Sequence, residues 1–346
     1  MTTPTPASPA RRPVTLITGA QGEFGHALVH ALSEHSDTPI VAIDKDPIDP
    51  ALARRCAESH ALDLTDGAAL DALLDRLHVG TAYHLAALLS RSAEERPDLA
   101  HAVNVEATVH LLRRFAAASH ERAEPVRMLF PSSIAVYGLP TRAAKDDAQP
   151  LREEEHTTPI TIYGCHKLAC EHIGRYYATR LGASWKEPPA ARVDFRAIRF
   201  PGVISAETEP RGGTSDFAPQ ALHRTARGEA YESFVDEHAR LPFMTMPDAV
   251  RALLELGAAP DDALTRRVYN VGAFSLSAAE VASRASAHFN GVRITYNPDP
   301  ARMAIVNSWP ADVNTDAARA DWGYTPEHTL SRAFEDYLVP GLRTHH

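Results

Sequence analysis

Val14-Thr15-Leu16-Ile17-Thr18-Gly19-Ala20-Gln21-Gly22-Glu23-Phe24-Gly25 decides the fold of this chain. Val14 to Thr18 reads as a short apolar strand, and Ala27 to Ser33 beyond the glycines is amphipathic at helical period. Without side chains, the turn at Gly19, Gly22 and Gly25 lets backbone N–H groups approach a pyrophosphate at the positive end of that helix. The spacing is G-x-x-G-x-x-G, not the commoner G-x-G-x-x-G, and a tight turn alone could also use three glycines. Asp44 adds the second signal, because it ends the next strand (Pro39 to Asp44) about twenty residues on. A carboxylate there accepts both adenosine ribose hydroxyls and repels a 2′-phosphate, which favours NAD over NADP. Gln21, Glu23 and Phe24 complete the turn. Asp63 and Leu64, at the end of a weaker strand over Ala61 to Asp63, are placed to flank the adenine.

Outward from this unit the chain keeps alternating. A helix over Gly67 to Leu77 precedes a strand from Ala82 to Ala87, and a long helix covers Leu99 to Ala118. A strand over Arg127 to Ser132 follows, then a helix over Ile162 to Leu181 and a strand over Phe195 to Phe200. The pattern predicts an α/β fold, a Rossmann-type doubly wound parallel sheet with a smaller C-terminal substrate-binding lobe. Residues 1–12 form a flexible tail. Residues 13–200 and 241–275 are assigned to the NAD-binding domain, with Arg267 to Val271 rejoining the sheet, and residues 201–240 and 276–342 to the substrate lobe. Leu139 to Pro159 and Gly182 to Arg192 read as surface loops, Arg211-Gly212-Gly213 as a glycine-rich loop, and Phe217 to Ala226 as a helix.

Tyr163-Gly164-Cys165-His166-Lys167 carries the chemistry. The spacing sets a phenol and an ammonium on one helical face, and an adjacent ammonium favours the phenolate. Lysine is scarce, with only Lys45, Lys145, Lys167 and Lys186, yet chance supplies such a pair in roughly one chain in eight. Ser133 gives the pair company: it lies at the carboxyl end of a strand, where open parallel sheets collect their ligands. Together the three support alcohol oxidation. Tyr163 takes the hydroxyl proton, Lys167 lowers its pKa and holds the nicotinamide ribose, and Ser133 hydrogen-bonds the reacting oxygen.

These residues resemble the extended short-chain dehydrogenase/reductase superfamily: Thr18 to Gly25, His84-Leu85-Ala86-Ala87, Pro131-Ser132-Ser133 and Tyr163-x-x-x-Lys167. Further stretches are similar to its L-threonine 3-dehydrogenase branch. They include Ala87-Leu88-Leu89-Ser90, Arg199 to Ser205, Gly212-Gly213-Thr214-Ser215-Asp216, Leu241 to Ala249, Ser308-Trp309-Pro310 and Asp321-Trp322-Gly323. The resemblance runs in order from Pro13 to Leu342. It implies oxidation of the C3 hydroxyl of L-threonine by NAD to 2-amino-3-oxobutyrate, in amino-acid catabolism. It also implies that Leu85, Ala86, Ala87, Asn104 and Pro201 line the cofactor site with Tyr163 and Lys167. Ser90, Gly213 and Thr214, with Ser133 and Tyr163, would hold the substrate. A homodimer through the two long helices, near 100–118 and 163–181, follows from the same source. Two positions depart from the branch: Ala93 stands where it tends to have glycine, and Ser133 where threonine is frequent.

The bounds agree. At 346 residues, with 44% hydrophobic and 23% charged, the chain has the makeup of a soluble globular protein. A net charge of -9 argues against a nucleic-acid or anionic-membrane surface. Cys56, Cys165 and Cys170 form no disulfide framework, and no apolar run is long enough to span a bilayer, so a cytoplasmic protein is expected. No H-E-x-x-H or Cys-x-x-Cys occurs among the 18 histidines and 3 cysteines, and no metal site is expected. His166 and His172 read as surface residues, His84 as structural, and Trp309 as either core or pocket wall. A nucleotide-sugar epimerase or dehydratase, a dehydrogenase of another small 3-hydroxy acid, and a non-enzymatic NAD sensor are the alternative functions.

Overall fold

Successive residues of the first strand bury on opposite sides of a sheet: Leu16 joins one apolar cluster and Ile17 another, and both are fully buried. That double burial is what a parallel sheet covered by helices on both faces requires. The computed structural model describes residues 12–180, 192–209, 212–289 and 293–345. The expected tail up to Arg11, most of the loop from Gly182, and Arg211 lie outside the described residues.

The strands in chain order are β1 (Val14–Thr18), β2 (Ile40–Asp44), β3 (Glu58–Ala61), β4 (Val79–His84), β5 (Arg127–Ser133), β6 (Asp194–Phe200), β7 (Gly202–Ile204), β8 (Tyr231–Ser233), β9 (Arg240–Thr245), β10 (Val268–Asn270), β11 (Phe274–Ser277) and β12 (Ile294–Tyr296). Seven of them form one parallel sheet in the order β3-β2-β1-β4-β5-β6-β10. The order reverses between β1 and β4, and a crevice at their carboxyl ends is the consequence. The expected Rossmann-type α/β fold is borne out. Leu70, Leu111, Phe115 and Cys170, from three helices, cover one face. Leu28 and Leu253, from the helices Glu23–His35 and Met246–Ala258, cover the other.

Four elements differ from the sequence reading. The fourth strand is Val79–His84, three residues earlier than expected, and the expected surface loop over Leu139 to Pro159 holds the helix Arg142–Asp147 with Leu139, Lys145 and Leu151 buried. The third strand is Glu58–Ala61 and ends where it was expected to begin, because this sheet-edge strand alternates polar half-buried and exposed residues and shows no apolar run. The long helix is two segments, Pro97–His101 and Ala107–Arg122, joined by a wider π turn over Ala102–Glu106. Periodicity cannot reveal a one-residue insertion that leaves both flanks helical.

The remaining strands form two small sheets. β9 pairs with β7 in parallel and with β11 in antiparallel, and β8 pairs with β12. Phe217, Leu222, Leu241, Phe243, Trp309 and Phe334 make their core, and the same cluster takes in Tyr163, Ile134 and Tyr137 from the first region. The two regions thus share a core at the crevice. Trp309 is a member of it, 4% exposed, with its indole N–H unpartnered among the described residues.

The amino ends of the strands carry a buried ion cluster. Asp194, at the start of β6, accepts Arg196 Nη2 at 2.8 Å, Arg127 Nε at 2.8 Å and Arg267 Nη1 at 3.2 Å. Arg196 is fully buried and also donates at 2.6 Å to both Leu256 O and Ala259 O, closing the end of a helix. Burial pushes the Asp194 carboxyl up, but the Arg196 and Arg127 guanidinium groups outweigh it and hold it below the usual range. An aspartate held low contributes stability that is present above its unfolded pKa of about 3.9 and is lost as pH falls further. Asp194→Asn leaves these cations uncompensated. It is expected to cost about 3 kcal/mol in urea unfolding at neutral pH, with the deficit shrinking below about pH 4; an equal deficit at both pH values would contradict this assignment.

Candidate active site

The turn after β1 presses against the turn after β4. Gly19 sits at φ 73°, and a Cβ there would lie 2.6 Å from Ala86 N. Only glycine accepts both the left-handed backbone and the close approach. Beyond it the helix Glu23–His35 begins at Gly22 with no side chain capping its N–H groups. Those free donors, with the helix dipole behind them, suit an anionic diphosphate. Asp44 leans into the same turn, accepting Gln21 N–H at 2.9 Å and Asp46 N–H at 3.2 Å. The Gln21 side chain turns away and accepts Asp49 N–H at 2.9 Å. Phe24 packs on Phe200 with ring centroids 5.0 Å apart. The residues present fit a dinucleotide.

The rest of the expected cofactor wall is held by a chain of polar contacts. Thr18 Oγ1 lies 2.7 Å from His84 Nδ1, and His84 Nε2 lies 2.9 Å from Thr108 Oγ1. Thr108 donates to Asn104 O at 2.7 Å, so it accepts from Nε2–H, and Nδ1 accepts from Thr18. Burial, aided by Lys167, pushes His84 down to about 3, so the ring stays neutral. Asn104 then brackets Leu88, donating to its O at 3.0 Å and accepting its N–H at 2.8 Å. This fixes the path of Leu85, Ala86 and Ala87 between β4 and Leu88. Pro201 is buried directly after β6. Leu64 is buried in the sheet core, while Asp63 is exposed and its carboxylate is taken by Thr65 N–H at 2.9 Å and Thr65 Oγ1 at 2.8 Å.

The helix Ile162–Thr179 brings Tyr163 and Lys167 to the same crevice. Thr161 caps it by accepting Gly164 N–H at 3.1 Å, and Glu94 accepts Ile162 N–H at 2.8 Å. Gly164 is the residue that lets the helix dock: a Cβ would lie 2.1 Å from Ala135 O, in the turn that follows Ser133. Ser133 is within reach of the Tyr163 hydroxyl and accepts Ala135 N–H at 3.1 Å. Lys167 Nζ lies 5.7 Å from the Tyr163 ring centroid and donates to Pro131 O at 2.6 Å. Burial pushes the Tyr163 phenol well above its ordinary value, against the nearby Ser133 hydroxyl. Burial likewise pulls Lys167 down to about 8, against Cys170 and Glu171. In the free protein, desolvation therefore disfavours the charged form of both groups.

Ser90 opens the short helix Ser90–Glu95 and is buried, as are Ala93 and Thr214. The Gly212 to Asp216 turn is closed on itself and held from outside at Gly213. Asp216 Oδ2 accepts Gly213 N–H at 2.6 Å, and Arg302 donates to Gly213 O at 3.0 Å while its guanidinium covers the Phe234 ring. Glu23, expected against the cofactor, instead has its carboxylate hydrogen-bonded by Thr208 Oγ1, and burial raises its carboxyl above the ordinary range. That contact ties the nucleotide turn to the segment after β7. His166 departs from the surface reading: it is 4% exposed and stacks edge-on to His101, because the helix turns it inward toward Pro97–His101. His172 is exposed. No group of three metal-ligating side chains occurs among the described residues.

Sequence comparison matches residues 15–272 to the NAD dependent epimerase/dehydratase family. The chain belongs to this family. It is an NAD-dependent dehydrogenase of the extended short-chain type. It is 35% identical to the mitochondrial L-threonine 3-dehydrogenase of Sus scrofa over 326 residues, 93% of this chain and 81% of that one. Among solved structures, the holo form of a GalE-like L-threonine dehydrogenase from Cupriavidus necator superposes with a TM-score of 0.82 at 33% identity, covering 96% of this chain and 99% of that one. A monomeric L-threonine 3-dehydrogenase from a metagenome database, in its apo form, gives 0.81 at 33% identity, covering 96% and 100%.

Gly19→Ala forces a side chain against the Ala86 backbone at a left-handed φ. The variant is expected to bind NADH at least ~10-fold more weakly by fluorescence titration. Unchanged affinity would separate this turn from the nucleotide.

Proposed function

We propose that the protein oxidises the C3 hydroxyl of L-threonine with NAD, giving 2-amino-3-oxobutyrate. The observation that carries the chemistry is Ser133 within reach of the Tyr163 hydroxyl, with Lys167 one helical turn along. Similarity to L-threonine dehydrogenases along nearly the whole chain supports the substrate.

NAD, when bound, supplies the hydride acceptor. Gly19, Gly22 and Gly25 with the free helix N–H groups hold its diphosphate, and Asp44 its adenosine ribose. The backbone of Gln21, with Phe24, Asp63, Leu64, Leu85, Ala86, Ala87, Asn104 and Pro201, forms the surrounding wall, while the Glu23 side chain is turned to Thr208. Tyr163 takes the substrate hydroxyl proton, Ser133 orients the reacting oxygen, and the Lys167 ammonium steadies the phenolate. Ser90, Gly213 and Thr214 receive the amino-acid end of the substrate, where hydroxyl and backbone donors suit a carboxylate.

The family also contains epimerases and dehydratases, which favours one second reading, a nucleotide sugar in the same crevice. The protein is further proposed to be cytoplasmic, to act in amino-acid catabolism and to be a homodimer. No helix among the described residues is long and apolar enough to cross a membrane. Exposed Leu99 and Tyr176, on the helices expected at the contact, support self-association; a sedimentation mass of one chain would refute it.

Purified protein mixed with NAD and L-threonine is expected to generate NADH absorbance; turnover of a nucleotide sugar without threonine oxidation would transfer the assignment to the second reading. Tyr163→Phe should lower kcat by ~10²-fold or more at unchanged NADH affinity. Because burial holds Tyr163 protonated, its basic form grows as pH rises. kcat/KM is expected to climb up to ~10-fold per unit from about pH 6 toward about pH 9, and a flat profile would remove Tyr163 as the base.

A further inference from the structure

One helical turn beyond Lys167 the same helix carries Glu171, 2% exposed. Its carboxylate is shared between two strands. From β6, Arg199 donates Nε to Oε1 at 2.9 Å and Nη2 to Oε2 at 2.6 Å, a two-point clamp. From β5, Ser132 Oγ donates to Oε1 at 2.5 Å. Ser132 is the neighbour of Ser133, and Pro131, one residue earlier, accepts the Lys167 ammonium. Arg199 continues outward, donating at 3.0 Å to Tyr137 Oη and at 2.6 Å to Glu153 O. Tyr137 in turn donates to Asn270 Oδ1 on β10 at 2.7 Å. A buried carboxylate without its partners would be expelled or protonated, so its place behind the Tyr163–Lys167 pair ties this helix to three strand ends.

We propose that Glu171, clamped by Arg199 and Ser132, is the positioning residue of this site: it fixes the reach of Tyr163 and Lys167 over Ser133. The proposal rests on the assignment of Tyr163 as base. The charged and titratable groups facing Lys167 are Glu171 and Cys170 on its own helix and His84 on β4, with the Tyr163 phenol one turn back and Phe130 and Pro131 O on β5. Glu171 and Arg199 face each other as a neutral pair, and His84 is neutral. The sign of an electrostatic change is therefore fixed. Replacing Glu171 by glutamine removes an anion and leaves Arg199 as an uncompensated cation, so Lys167 and Tyr163 both release protons at lower pH.

The test compares Glu171→Gln, Glu171→Asp and Ser132→Ala. In Glu171→Gln the acid limb of kcat/KM against pH is expected to move down by ~0.5 unit or more. In Glu171→Asp the charge stays while the reach shortens, so the limb holds its place and kcat falls by ~10-fold. A structural role alone lowers rates in both variants and leaves both limbs where they were. That outcome, in protein with native circular dichroism and NADH affinity, would overturn the proposal. Should Glu171→Gln not fold, Ser132→Ala decides: kcat lowered ~3-fold or more at unchanged NADH affinity supports the clamp, and a wild-type kcat overturns it. If L-threonine is not the substrate, the phenolate absorbance of Tyr163 in the NAD-bound protein, taken against Tyr163→Phe, reads the same shift. Failure of the substrate assignment and failure of the clamp are thereby distinguished.

Discussion

Gly19 and the Ala86 backbone come so close that no side chain fits between them, and the crevice is built on that contact. It joins the turns after β1 and β4 at the point where the strand order reverses. The Thr18–His84–Thr108–Asn104 chain secures the same junction from beneath, using a histidine that burial keeps uncharged. With the two turns locked, the helix beginning at Gly22 aims its free N–H groups at one place. Asp44, anchored by Gln21 N–H, sets a carboxylate beside them. The cofactor end of the site is thus a backbone construction, and most of its side chains serve to hold main chain in position.

The proton-handling end is built differently. Tyr163, Lys167 and Glu171 occupy successive turns of one helix, and Gly164 allows that helix to sit against the turn after Ser133. Burial works against ionisation of both Tyr163 and Lys167. The charge needed for a phenolate must come from what is brought into the crevice and from the arrangement around Lys167, not from simple nearness of an ammonium to a phenol.

Much of this was legible in the sequence where the signal is local. The glycine turn, Asp44 at a strand end and the Tyr163–Lys167 spacing each reflect a few neighbouring residues under one geometric rule. The parallel sheet followed from strands alternating with helices. Other features were not legible, for physical reasons. Glu58–Ala61 is a polar edge strand with no apolar signature. The π turn at Asn104 leaves helical periodicity intact on both sides. Glu23 meets Thr208, Glu171 meets Arg199 and Gly213 meets Arg302 across long stretches of chain, and no spacing rule links such residues. His166 looked like a solvated residue because its helix has a second buried face, against Pro97–His101.

The ion cluster around Asp194 lies at one end of β6 and Phe200, packed on Phe24, at the other. A seven-residue strand spans roughly 20 Å, a separation at which two unit charges interact by only about 1 kcal/mol at an effective dielectric near ~20. Hardening the base of the sheet need not disturb acid–base behaviour at its top. Such a scaffold can drift or be engineered in thermal tolerance while its reaction stays constant, and it can acquire a new substrate loop without weakening its foundations.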